Sequence, residues 1–130
     1  MEKNWNYFIE AGERYYLISS GLVRKNRFSS DLVYNIVALC IENFLVGYLL
    51  SQGKIPENHT LLDIISYLKK FEEVGDLEER IRWMNGFQEI CCLDFYKRRV
   101  PEDSDLVAML EIASDVKRLV NNNMRAILPS

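Results

Sequence analysis

The residues able to do chemistry in this chain are few, and Glu42 is the most informative of them. It is a carboxylate in the middle of the most apolar stretch, 32–50. Burying it unpaired would be costly, so it must be paired, protonated through a raised pKa, or exposed along a groove. Asn35 precedes it by seven residues and Ala38 by four, which places all three on one helical face as a narrow polar stripe. Two roles fit that stripe: a structural strut bonded to a Tyr, an Arg or His59, and a groove or interface element. His59 is the single histidine. It stands just before a helix start, where it can satisfy free backbone groups or pack over the Pro56 turn. With no second His and no C-x-x-C pair beside it, metal ligation is not expected, and no nucleophile stands ready for it to activate. No cofactor is implied.

Lys97, Arg98 and Arg99 form the densest basic cluster, and Arg24, Lys25 and Arg27 a second. Both fall at expected helix C-termini, where cations complement the helix dipole. A phosphate-reading patch with Tyr96 as a stacking surface is the alternative. The acidic run Glu72, Glu73, Asp76, Glu78 and Glu79 surrounds a helix start, and solvation and dipole complementation account for it. Nothing around it marks a pair of catalytic carboxylates.

These side chains must be positioned by one domain, 1–130, long enough to bury a core without metals or disulfides. Hydrophobic residues at 48% and charged residues at 27% describe a folded chain and exclude a disordered one. A net charge of −3 argues against a protein devoted to phosphate backbones, so nucleic-acid binding would need a local basic patch. Cys40, Cys91 and Cys92 are odd in number and read as small core hydrophobes in a reducing cytoplasm. The N-terminal residues do not resemble a signal peptide. The 32–50 stretch carries Asn35, Glu42 and Asn43, and is expected to be a buried helix and not a membrane span.

Periodicity predicts an all-α, up-and-down bundle of about five helices, with short connections and antiparallel neighbours. The first, 4–25, has Phe8, Ala11, Tyr15, Ile18 and Leu22 on one face. Trp5, Tyr7, Phe8, Tyr15 and Tyr16 are more aromatics than one buried stripe needs, so they form a core edge or an oligomer interface. The second, 31–52, starts at a Ser30 cap, is apolar nearly all the way round and therefore central, and stops at Gly53. The third opens on a capping box at Thr60–Asp63, with Leu61, Ile64, Ile65, Leu68 and Phe71 inward, and ends before Gly75. The fourth runs from Asp76 through Leu77, Ile81, Met84, Gln88, Cys91 and Phe95 to the 97–99 cluster. The fifth, about 104–128, buries Leu106, Leu110, Ala113, Val116, Val120, Met124 and Ile127.

One run carries more than helix signals. It reads Cys40-Ile41-Glu42-Asn43-Phe44-Leu45, then Leu49-Leu50, Gly53, Pro56 and His59-Thr60-Leu61-Leu62, with Arg99-Val100-Pro101 before the last helix. This resembles the HEPN family, in which a long apolar helix with an internal Glu is followed by a Gly, a Pro and a His before the next helix. The resemblance spans nearly the whole chain. Two departures qualify it. Where members often carry lysines, this chain has Asn43 and Val46, and no Arg lies four to six residues before its one His, so the family's ribonuclease motif is missing. The resemblance therefore implies a non-nuclease member: a non-catalytic binding module, homodimeric, that partners or regulates a small nucleotidyltransferase in a toxin–antitoxin-like context. A nucleotide- or RNA-binding domain with weak activity is the alternative, its groove lined by Asn35, Glu42 and His59 with the 97–99 cluster nearby. A purely structural helical protein would make the likeness accidental.

Overall fold

The computed structural model describes residues 4–25, 28–87 and 100–127. Among them are five helices and no strand: α1 (Trp5–Lys25), α2 (Ser30–Ser51), α3 (Leu61–Lys69), α4 (Leu77–Asn85) and α5 (Asp103–Ile127). The chain is an all-α helical bundle, as its periodicity predicts.

Local chemistry explains most helix boundaries. Ser29, one residue before the expected Ser30, caps α2 by accepting from the Leu32 N–H at 3.4 Å. The Thr60 hydroxyl accepts from the Asp63 N–H at 3.2 Å and donates to the Asp63 carboxylate at 2.8 Å, so the expected capping box is present at α3. At α5 the Asp105 carboxylate accepts the Glu102 N–H at 2.9 Å, the reciprocal half of a similar box. Gly53 takes a left-handed φ of 73° and ends α2 as expected. The fourth helix departs from expectation. It stops at Asn85, where the Gly86 N–H bonds back to Arg82 and Trp83 and a turn brings Phe87 inward. Its expected continuation, with Gln88, Cys91, Phe95 and the 97–99 cluster, lies outside the described residues.

α2 is the hub, with α1, α3 and α5 packed on it, while α4 packs on α3 and α5. α2 is long and apolar enough to cross a membrane by composition, yet 61% of its most apolar window is buried inside the protein, where it supplies the core. Val37, Cys40, Ile41, Phe44, Leu45 and Leu49 are fully enclosed. Its apolarity is not complete around the helix, because Leu32 and Leu39 remain exposed.

The α1–α2 seam depends on two glycines. A Cβ on Gly12 would stand 2.9 Å from the Phe44 ring, and one on Gly47 would stand 2.8 Å from the Ile9 side chain. Low numbers on α1 meet high numbers on α2, so the two helices are antiparallel. Ala11 is buried and Phe8, Tyr15 and Leu22 pack on the core as expected, and this close approach turns the face further toward Gly12 and Ser19. Ala11, Gly12 and Ser19 are buried, whereas Ile18, expected inward, is 48% exposed. Ser19 tolerates burial because its hydroxyl donates to the Tyr15 carbonyl at 2.7 Å. A similar shift on α5 buries Met109 and Ile112 and leaves Leu110 only partly buried.

Polar ties join the helices at their rims. Lys69 meets Glu78 at 2.8 Å (α3 to α4), Arg80 meets Asp115 at 2.8 Å (α4 to α5), and Lys117 meets Glu13 at 3.2 Å (α5 to α1). Inside, the Tyr48 hydroxyl donates to Glu72, which also accepts from the Asn123 amide at 3.4 Å. That network holds the turn after α3 against both α2 and α5.

Candidate functional site

On the side of α2 that carries the polar stripe, an open groove of about 400 Å³ is lined by Tyr34, Asn35, Ala38, Leu39, Glu42, His59, Thr60, Leu61 and Asn85. Three elements build it. The floor is one face of α2, one wall is the start of α3 with His59 before it, and the end of α4 closes the rim with Asn85. The sequence-predicted residues Asn35, Glu42 and His59 therefore come together.

Glu42 and His59 form the polar centre of the groove. His59 Nδ1 stands 3.8 Å from Glu42 Oε2. The histidine side chain is 60% exposed and the glutamate 33%, so the pair faces the groove and is not sealed in the core. Burial raises the Glu42 carboxyl pKa above its ordinary value, and the neighbouring His59 partly offsets this. The strut and groove roles thus coincide: Glu42 is partnered by His59, and the pair is still reachable.

The hydroxyls lining the groove are already engaged. Tyr34 donates its buried hydroxyl to the Met84 carbonyl at 3.0 Å, and burial pushes its pKa up to about 12. Thr60 is engaged in its capping box. Neither is positioned as a nucleophile for His59 to activate. Asn43 donates its amide to the Leu39 carbonyl at 2.7 Å and so serves its own helix. Among the described residues no group of His, Cys, Asp or Glu could hold a metal ion.

The basic clusters do not reach this groove within the described residues. Lys97, Arg98 and Arg99 lie outside them, as do Arg27, Tyr96, Cys91 and Cys92, while Arg24 and Lys25 are exposed in the last turn of α1. A hollow of about 300 Å³ between α1 and α5 contains Lys117 and Arg118. Those cations are already paired, Lys117 with Glu13 at 3.2 Å and Arg118 with Asp115 at 2.8 Å. Cys40 is a buried thiol whose pKa burial pushes up to about 12, and it donates weakly to the Gly12 carbonyl at 3.5 Å.

Sequence reasoning did not find Leu39 and Asn85 as parts of the groove. Leu39 follows the stripe residue Ala38 and could have been assigned from its helical position. Asn85 gives no such signal, since the periodicity carried its helix onward past Gly86. Comparisons with protein-family models, with curated proteins and with solved structures return no match for this chain.

Proposed function

We propose that this protein is a non-catalytic helical binding module, a homodimer that recognises another protein through the Glu42–His59 groove. One observation carries the reading: a partly buried carboxyl–imidazole pair lies in an open groove beside an exposed apolar side chain, Leu39 at 38% exposure. An apolar anchor next to a specific polar pair is the composition of a protein interface. Among the described residues no basic side chain besides His59 lines the groove, and a phosphate ligand draws its affinity from such cations. The resemblance to HEPN domains supplies the partner's class, a small nucleotidyltransferase in a cytoplasmic, toxin–antitoxin-like setting.

A second reading, nucleotide or RNA binding, draws on Asn35 and Asn85. Their carboxamides line the same groove as Glu42, and carboxamides and carboxylates can read the edge of an unstacked base.

The test is affinity capture from a lysate of the source organism with tagged wild-type chain, beside Glu42→Gln and His59→Ala. A nucleotidyltransferase-like protein recovered in stoichiometric amount by the wild type, and lost by both variants, supports the first reading. Bound nucleotide or RNA in its place moves the function to the second. Capture that ignores both substitutions removes the groove from the mechanism.

A further inference from the structure

The face of α1 turned away from α2 presents Tyr7, Glu10, Arg14, Leu17, Ile18, Gly21 and Lys25. Tyr7, Leu17 and Ile18 are 61%, 70% and 48% exposed. Apart from the edge contact of the Tyr7 ring on Phe8 at 5.4 Å, this face packs on no described residue of another helix, since the seam with α2 runs through Gly12 and Ser19 on the opposite side.

We propose that a second copy of the chain docks on this face, α1 against α1, antiparallel about a two-fold axis passing between Leu17 and Ile18. This rests on the homodimer named above and assigns its face. The spacing is self-complementary. Reflecting residue numbers through 17.5 brings Leu17 onto Ile18, Arg14 onto Gly21 and Glu10 onto Lys25, each contact occurring twice as an isologous interface requires.

Three features favour this pairing. Charge sets the direction: a parallel arrangement would place Glu10 on Glu10 and Lys25 on Lys25, whereas the antiparallel one makes two opposite-charge pairs. Glu10, Arg14 and Lys25 form no ion pair with another described residue, in contrast to Glu13, which is engaged by Lys117 at 3.2 Å. Gly21 is the third feature. Glycine inside a helix is unfavourable relative to alanine, and a Cβ built on Gly21 meets nothing within 4 Å. Among the described residues of the monomer nothing requires a glycine there. A long side chain from a second copy, Arg14, crossing that point does.

The 21 residues of α1 make a helix about 31 Å long. A single helix pair of that length buries roughly 1,000 Å², near the lower limit for a specific interface. The dimer should therefore dissociate on dilution.

Sedimentation velocity on the full chain, over roughly 1 to 100 μM, tests this. The wild type should be dimeric at the upper end. Leu17→Asp, at a site exposed in the monomer, should weaken association by roughly 100-fold without loss of helicity. Glu10→Lys and Lys25→Glu should each weaken it by about tenfold, and the double reversal should restore it. Gly21→Gln should raise the thermal midpoint of the dilute monomer while weakening the dimer, two effects of opposite sign that no monomer-only role of Gly21 produces. A dimer indifferent to Leu17→Asp and to both reversals overturns the α1 face and leaves the homodimer standing. A monomer at every concentration overturns both, while the groove is judged separately by the capture experiment.

Discussion

The two sides of α2 have opposite designs. Toward α1 the helix is dry and tight. Phe44 is fully buried against Gly12, Gly47 receives Ile9, and a single added methyl would meet atoms at 2.8–2.9 Å. Toward the groove the same helix presents Asn35, Leu39 and Glu42, lining an open groove of about 400 Å³. One side stabilises the fold through contact density, and the other keeps a charge and an apolar side chain available. The difference shows that the polar stripe is not a flaw in a core helix. Tyr34 and Leu61 in the groove lining belong to the core, but Glu42 and His59 stand outside it, so that pair should be replaceable without unfolding the protein.

The largest expected effect breaks the tight side. Phe44→Ala should cost about 3–5 kcal/mol in urea unfolding, because the fully buried ring leaves a cavity at the α1–α2 crossing. Gly47→Ala should cost roughly 1–3 kcal/mol, since the Ile9 backbone nitrogen lies 3.1 Å from the new methyl and cannot withdraw as a side-chain tip could. If Gly47→Ala were neutral, the seam would be looser than its geometry requires. Tyr48→Phe should cost about 1–2 kcal/mol by the same measurement, as it removes the hydroxyl that donates to Glu72 and leaves Asn123 as the remaining donor.

The smallest effects belong to the groove. Glu42→Gln should leave stability unchanged or slightly raised near neutral pH. The folded state holds the Glu42 carboxyl pKa above its ordinary 4.5, so between those two values it binds a proton that the unfolded chain has released. In that window the contribution of Glu42 to stability falls as pH rises. Paired unfolding curves should therefore agree for wild type and Glu42→Gln at roughly pH 4, with the variant gaining a small advantage as pH rises toward about 7. An advantage that grows on acidification instead would mean that pairing with His59 outweighs desolvation at Glu42. His59→Ala should change stability by less than about 0.5 kcal/mol, given its exposure.

Capping and periodicity act over three or four residues, and the features they govern were legible. The Thr60–Asp63 box, the stop at Gly53 and the shared face of Asn35 and Glu42 all follow from the order of neighbouring residues. The rotation of α1 was not legible in that way. An apolar count selects Ile18 for the core, but the seam is set by where backbones can approach, and that choice favours Gly12 and Ser19. On α5 Met109 and Ile112 join the expected core face while Leu110 stays only partly buried, and α4 ends at Asn85, earlier than its periodicity suggests.

By itself, then, the sequence determined an all-helical chain, its central helix and the presence of a costly carboxylate within that helix, because each depends on local propensity and burial tendency. Only the tertiary structure decided that His59, seventeen residues away, sits 3.8 Å from Glu42, that Asn85 closes the groove, and that Leu17 and Ile18 face outward. Those outcomes depend on contacts between distant helices, and the spacing of residues along one helix does not encode which neighbour will lie against it.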